Sequence, residues 1–79
     1  MQLSYDSQHN VAYLRLQDKL AQVDTIRISD SVNVDLAPDG TVYGIELLNA
    51  NEQLQAGDAG KLVVINEACG DRQEFSLTK

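Results

Sequence analysis

The stretch at residues 31–49 most constrains the fold, because it joins strict alternation to a tight turn. From Val32 to Leu36 apolar and polar residues alternate, which is the period-two pattern of a half-buried strand. The segment Ala37-Pro38-Asp39-Gly40 follows, in which proline presets a type I turn and glycine supplies the positive φ that closes it. Beyond the turn, β-branched and aromatic residues continue to Leu48. The sequence therefore predicts a β-hairpin from Val32 to Leu48.

Two registers of this hairpin are open. The one we prefer pairs Leu36 with Thr41 and gives the hairpin a single apolar side, formed by Val32, Val34, Leu36, Tyr43, Ile45 and Leu47. A three-residue loop with a glycine bulge would instead shift the pairing by one residue. Gly44 weakens the second strand unless a bulge forms there or another group packs closely on it.

The flanking segments predict further antiparallel strands and one short helix. Strands are expected at residues 2–5, 11–17 and 20–28, joined by short turns as a meander. Asn49 and Glu52 have capping-box spacing, and Gly57 is a natural helix end. Two C-terminal strands, at residues 61–67 and 72–78, form a second hairpin, and the apolar run of the first is typical of a well-buried strand. The fold class is small α+β, as one domain over residues 1–79.

The size of the chain limits how much core it can form. A domain of 79 residues buries only about 60% of its unfolded surface. Cys69 is the one cysteine, so no disulfide within the chain can compensate. Self-association is a remaining way to strengthen such a core, and we therefore expect a homodimer. No signal peptide or membrane-spanning run is visible, which favours a cytoplasmic protein.

The charge balance bears on the class of partner. The formal net charge is -6, and proteins that bind nucleic acid need a basic surface to neutralise phosphates. The sequence thus argues against a nucleic-acid partner. The acidic excess either keeps a small protein soluble or forms a surface that meets a basic partner protein.

Candidate catalytic and metal-binding groups are few. His9 and Cys69 are far apart in sequence, and the usual phosphate-loop, hydrolase and zinc motifs are absent. We therefore expect a protein without a cofactor that is more readily a binding module than an enzyme. Asp35 and Glu46 fall on one face of the predicted hairpin, and they are the carboxylates that a metal or ligand site would use. Glu46, in an otherwise apolar strand, is expected to pair with Arg15 or Arg27.

An interaction face can also be predicted. Tyrosine combines an apolar body with a polar tip, so it is common both in interfaces and on the core side of small sheets. The candidate interaction face consists of Tyr13, Asp35, Tyr43 and Glu46.

Several ordered blocks resemble the YuzE-like family, also called the domain-of-unknown-function 2283 family. The blocks are Tyr5-Asp6, Val11-Ala12-Tyr13-Leu14-Arg15-Leu16, Val32-Asn33-Val34-Asp35-Leu36, Asp39-Gly40 and above all Gly44-Ile45-Glu46-Leu47-Leu48-Asn49-Ala50. The resemblance covers residues 1 to about 54, so the tail from residue 57 is not placed by it. It implies a bacterial or archaeal, β-rich protein with a helix and no assigned catalytic residues. Some members are thought to lie beside genes for small toxin-like proteins, which implies an antitoxin-type binding role.

Two hypotheses about function follow. The first is a non-catalytic interaction module that binds a basic partner protein, of the toxin-like kind that the resemblance implies. The second is a small ligand-binding or metal-binding domain, or an enzyme, that uses the Asp35/Glu46 face.

Overall fold

The computed structural model describes residues 1–19, 22–55 and 57–77. Five strands form one antiparallel sheet in the order β1-β2-β5-β4-β3, and two more form a separate ribbon. The elements are β1 (Gln2–Asp6), β2 (Val11–Arg15), β3 (Asp24–Arg27), β4 (Val32–Leu36), β5 (Val42–Leu48), α1 (Ala50–Gln55), β6 (Lys61–Asn66) and β7 (Asp71–Ser76). A short 3₁₀ turn, Asp58–Gly60, precedes β6. The predicted α+β class, with its helix after the hairpin and its C-terminal hairpin, is confirmed.

The strand order differs from a simple meander. Strand β2 pairs with β5 rather than with β3, from Val11 opposite Leu48 to Arg15 opposite Gly44. Strand β5 is the longest of the five and has a partner on each side, so it forms the centre of the sheet. Strand β3 pairs only with β4 and lies at the far edge. It is shorter than predicted, and residues 20 and 21 of the predicted strand lie outside the described residues.

At its turn the central hairpin has the register of the three-residue loop, and beyond the turn it has a further shift that neither alternative gave. Gly40 has φ +87°, and the Ala37 N–H donates to the Thr41 carbonyl at 2.8 Å, so the loop has three residues. Leu36 consequently pairs with Val42 and not with Thr41, which corrects the preferred register. An additional β-bulge at Tyr43 adds one more residue to β5. Beyond the bulge, Val34 lies opposite Ile45.

The helix begins where the sequence predicted, but its N-terminal cap comes from another part of the chain. Asn10, in the β1–β2 turn, accepts from the Ala50 N–H through its carbonyl at 3.1 Å and from the Asn51 N–H through Oδ1 at 2.7 Å. Asn49 and Glu52, the expected capping box, bond to each other through their side chains at 2.7 Å. The β1–β2 turn therefore fixes the start of α1 on the sheet.

The two sides of the five-stranded sheet differ in character. Residues opposite each other in register share a side, and successive residues alternate. One side, here called the apolar face, consists of two uncharged rows: Leu3, Leu14, Ile45, Val34 and Ile26, then Tyr5, Ala12, Leu47 and Val32. Helix α1 lies at the second row, since the Tyr5 hydroxyl donates to Asn51 Oδ1 at 2.5 Å and accepts from Gln55 Nε2 at 2.7 Å. Ala12 and Ala50 are buried there.

The C-terminal hairpin stands apart from this arrangement. Strands β6 and β7 pair from Lys61 opposite Ser76 to Asn66 opposite Asp71. Nearly every residue of the two strands is exposed, so the prediction that residues 61–67 form a well-buried strand is wrong. The apolar run pairs within a two-stranded ribbon, and no second layer within the described chain covers that ribbon. Residue 78 of the predicted last strand lies outside the described residues.

No helix in the described ranges is long and apolar enough to cross a membrane.

Candidate functional site

The side of the sheet opposite the apolar face, here called the polar face, gathers the predicted interaction residues. Tyr13 lies opposite Glu46, and Asp35 lies opposite Gly44, in positions that alternate with the apolar rows. Tyr43 was predicted on the apolar side of the hairpin, and the β-bulge moves it. It borders the same surface depression as Tyr13 on the polar face. The structure therefore brings all four residues to one side of the sheet, and their role in binding stays a prediction.

The centre of the polar face is a hydrogen-bonded group around Asp35. The Tyr13 hydroxyl donates to Asp35 Oδ2 at 2.6 Å, and the Thr25 hydroxyl donates to Asp35 Oδ1 at 2.5 Å. Both carboxylate oxygens thus have a short bond from a neutral donor. These bonds link three strands, β2, β4 and β3, across the sheet.

Gly44 allows this group to form. The ring of Tyr13 lies directly over it, and a Cβ at position 44 would lie 2.6 Å from the ring carbons Cε1 and Cζ of Tyr13. That separation is far inside van der Waals contact, so any side chain larger than hydrogen would displace the ring. Both conditions that the sequence set for a glycine in this strand, a bulge and a closely packed group, are met at this point.

Burial and charge together raise the pKa of Tyr13. Partial burial of the phenol is the larger cause, followed by its hydrogen bond to Asp35 and by the negative charge of that carboxylate. Each of these disfavours a phenolate beside an existing anion. Tyr13 consequently remains a hydrogen-bond donor throughout the physiological pH range.

Glu46 is held in a similar way, without a cation. Asn33 Nδ2 donates to Glu46 Oε1 at 2.9 Å. The prediction that Glu46 pairs with Arg15 or Arg27 is wrong, because Arg27 forms its ion pair with Asp30 and Arg15 donates to Gln2 Oε1 at 3.2 Å. Within residues 1–19, 22–55 and 57–77, neither Asp35 nor Glu46 has a salt bridge.

A shallow depression of about 200 Å³ lies beside this group. It is bordered by Gln2, Ser4, Tyr13, Arg15, Lys19 and Tyr43. The Nε of Arg15 is buried and has no hydrogen-bond partner in the described structure. An unpaired N–H of a charged group is costly when buried, so this atom is the least satisfied polar group of the polar face.

The remaining candidates do not join this site. His9 Nδ1 lies 2.7 Å from Asp6 Oδ2 in the β1–β2 turn, and this hydrogen bond lowers the pKa of the Asp6 carboxyl. Cys69 is exposed in the β6–β7 turn. Asp39 serves the β4–β5 turn, where it accepts from the Thr41 hydroxyl at 2.6 Å. Among the described residues, no three His, Cys, Asp or Glu side chains lie together in a way that could hold a metal ion.

Sequence reasoning missed two of the three neutral donors that hold the carboxylates, Thr25 and Asn33. Asn33 was visible, because it alternates with Asp35 on the polar side of β4. Thr25 could not be found, because its partner depends on how β3 aligns with β4, and the pattern of that segment changes partway along.

The fold and this face define a small α+β domain with an ordered acidic group on an open sheet surface. Comparison with known families gives a match over residues 2–51 to the family described as "Protein of unknown function (DUF2283)". The chain belongs to this family. The match ends in the first turn of α1, so β6 and β7 lie beyond it. Neither the curated proteins nor the solved structures contain a match to the chain.

Proposed function

We propose that this protein is a non-catalytic interaction module that binds a small basic protein through the polar face. The observation that carries the proposal is the way in which Asp35 and Glu46 are held. Neutral donors orient both carboxylates, and no described cation neutralises them. Their charge is therefore available to a Lys or Arg of a partner. A toxin-like protein is the partner class that the family resemblance suggests.

Pre-orientation of these groups favours binding to a protein surface. Ordering a flexible side chain at an interface costs about 0.5–1.5 kcal/mol, and the existing hydrogen bonds reduce that cost here. The net charge of -6 would accelerate encounter with a basic partner. Tyr13, which is half-buried, adds apolar area beside the carboxylates, as aromatic residues do in many interfaces, and the buried Tyr43 packs beneath that surface. We place this activity in the cytoplasm, where an exposed thiol such as Cys69 stays reduced.

One observation favours the second candidate, a small-ligand site. Arg15, whose buried Nε has no partner in the described structure, lines the depression and would supply a positive charge for an anionic group. The depression, at about 200 Å³, is nevertheless smaller than the roughly 300–1,000 Å³ of typical ligand pockets. Its size therefore favours a protein partner over a small molecule.

The test is calorimetry of the protein with the product of the neighbouring gene. Glu46→Gln keeps an oxygen for Asn33 but removes the charge, and it should weaken binding roughly ten-fold, or about 1.4 kcal/mol. Glu67→Gln is the matched control, since it removes one exposed carboxylate near the distant β6–β7 turn. Added salt should weaken the wild-type complex.

Two results would count against the proposal. One is no binding between the two proteins, and the other is an equal effect of the two Glu→Gln variants. Titration with divalent cations and a set of small anionic metabolites, followed by amide chemical shifts, tests the second candidate. Shifts around Arg15, Asp35 and Glu46 would favour a ligand-binding domain.

A further inference from the structure

The apolar face is only partly covered by the chain itself. Helix α1 covers its second row, at Tyr5 and Ala12. The first row, which crosses all five strands from Leu3 to Ile26, has no second layer over it within the described residues. Ile26 is 45% exposed, and two residues that extend the face along their strands, Leu16 and Ile28, are 40% and 62% exposed.

The described part of the chain consequently lacks a conventional core. Its buried hydrophobic residues are three alanines and one tyrosine, and no large side chain is fully buried. Sheets are normally stable only when their apolar side packs against another layer. The apolar face of this sheet therefore lacks, within the described residues, the second layer that such a face normally has.

The accessible surface area of the chain also indicates that part of its surface lacks cover. The chain exposes 5874 Å². A compact monomer of 8.7 kDa would expose about 4,700 Å² by the usual scaling, so the excess is roughly 1,100 Å². A standard protein interface removes about 800 Å² from each partner. The excess, to which the C-terminal hairpin also contributes, is large enough for one stable interface.

The charge distribution indicates that a second copy of the chain can pack on the apolar face. A two-fold interface places the same patch against itself, so a patch can serve only if it does not repel its own copy. The two rows of the apolar face carry no charge, and Asp24, at the end of an edge strand, is at its border. On the C-terminal hairpin, Lys61, Glu74 and Arg72 lie on one side, and the other side, with Leu62, Val64 and Phe75, is only two strands wide and ends at Asp71. With a net charge of -6 on each chain, the apolar face of the five-stranded sheet is therefore the widest uncharged surface of the described structure that a second copy can meet.

We propose that two copies of this chain pack apolar face against apolar face, with Leu14, Ile45 and Val34 at the centre of the interface. The polar faces then point outward on opposite sides of the dimer. Each dimer would present two acidic faces, and it would bind two basic partners or one partner with two matching sites. The dimer does not depend on the function proposed above, because the two use opposite sides of the sheet.

The first experiment is sedimentation equilibrium of the full chain over a wide dilution series. The expected mass is twice 8.7 kDa, falling to 8.7 kDa only on strong dilution. Ile26→Asp buries a charge in the interface and should raise the dimer dissociation constant about a hundred-fold or more. Ile65→Asp is the matched control, because Ile65 is 54% exposed on the hairpin and lies outside the proposed interface. It should leave the dimer unchanged.

Three outcomes would overturn the proposal: a monomeric wild type, a dimer that survives Ile26→Asp, or a dimer that Ile65→Asp dissociates. Circular dichroism checks that each variant folds. If Ile26→Asp does not fold, Leu16→Asp is used in its place.

Isotope-filtered NMR on the wild type gives an answer without any variant. It should show contacts between methyl groups of Leu14, Val34 and Ile45 across the two copies, and contacts confined to the hairpin would refute the proposal. High salt should leave the dimer intact but should lower the affinity for the basic partner protein. This difference separates the two proposals.

Discussion

The two sides of the five-stranded sheet differ in how completely the chain itself satisfies their side chains. On the polar face, hydrogen bonds from Tyr13, Thr25 and Asn33 satisfy the carboxylates within a single chain. On the apolar face, one short helix covers one row, and the other row stays partly accessible, from its half-buried centre to the exposed Ile26 at the edge. Hydrogen bonds are satisfied pair by pair, whereas apolar burial needs a whole second layer. A short chain can therefore complete a polar surface before it can complete a core.

The largest loss of stability should come from adding a side chain at Gly44, where the Tyr13 ring now packs. Gly44→Ala places a methyl group where the Tyr13 ring now lies, so the ring and its bond to Asp35 must move. We expect a loss of about 1–3 kcal/mol in the free energy of unfolding, the usual range for overpacking, measured by urea denaturation. Gly57→Ala is the control, because nothing lies within 4 Å of a Cβ there. Equal stability of the two variants would contradict close packing of Tyr13 on Gly44.

The next effect tests the hydrogen bonds of the polar face. Tyr13→Phe removes the donor to Asp35 Oδ2 and should lower the free energy of unfolding by about 1–2 kcal/mol. The pKa of Tyr13 is raised in the folded protein, above about 10 for an unfolded tyrosine, so folding favours the neutral phenol. This contribution is fully present below the unfolded pKa and is lost as the pH rises above it.

The alkaline decline in stability should therefore be shallower in Tyr13→Phe than in the wild type. Urea denaturation at a series of alkaline pH values measures both curves. Parallel curves would mean that Tyr13 ionises at the same pH in both states, and the raised pKa would be wrong.

Features that depend on residues close together in the sequence were predictable, and features that depend on distant segments were not. The hairpin from Val32 to Leu48 was predictable, because alternation and the turn at Gly40 are local signals. Its register was not, because the three-residue loop and the β-bulge at Tyr43 each shift the pairing by one residue, and Gly40 and Gly44 allow such shifts without requiring them. The bulge places Tyr43 on the polar face. Similarly, nothing near β2 in the sequence indicates that its partner is β5 rather than β3.

The same reasoning explains the candidate site. Asp35 and Glu46 could be assigned to one face from alternation alone, and the structure places them there. Thr25 could not, since its contact with Asp35 requires the alignment of an edge strand with weak patterning. The apolar run at residues 61–67 misled the prediction of burial, because hydrophobicity indicates that a surface needs cover and does not say whether the chain supplies it.

A smaller effect on stability should come from Asn10, which attaches helix α1 to the sheet. Asn10→Gly keeps a residue suited to the positive φ of this position, +58°, but removes the side-chain acceptor for the Asn51 N–H. The expected loss is about 1 kcal/mol in the free energy of unfolding, the usual net contribution of one hydrogen bond. Asn10→Asp keeps an acceptor oxygen and should recover most of that stability. If Asn10→Gly matched the wild type, the helix would be held by Tyr5 and its own packing instead.

The smallest effect should come from a carboxylate that belongs to neither face. Asp39, in the β4–β5 turn, accepts hydrogen bonds from the Thr41 hydroxyl and the Thr41 N–H, and these lower the pKa of its carboxyl. Because the folded pKa is below that of the unfolded chain, this contribution is present above the unfolded pKa of about 3.9 and is lost as the pH falls. Asp39→Asn keeps an oxygen for Thr41 but loses the charge, so its urea midpoint should lie slightly below that of the wild type at neutral pH and converge with it in acid. Asp39→Ala, which has no acceptor, should be less stable at both. A neutral-pH difference between Asp39→Asn and the wild type as large as that of Tyr13→Phe would mean that the turn, and not the polar face, holds the central hairpin in register.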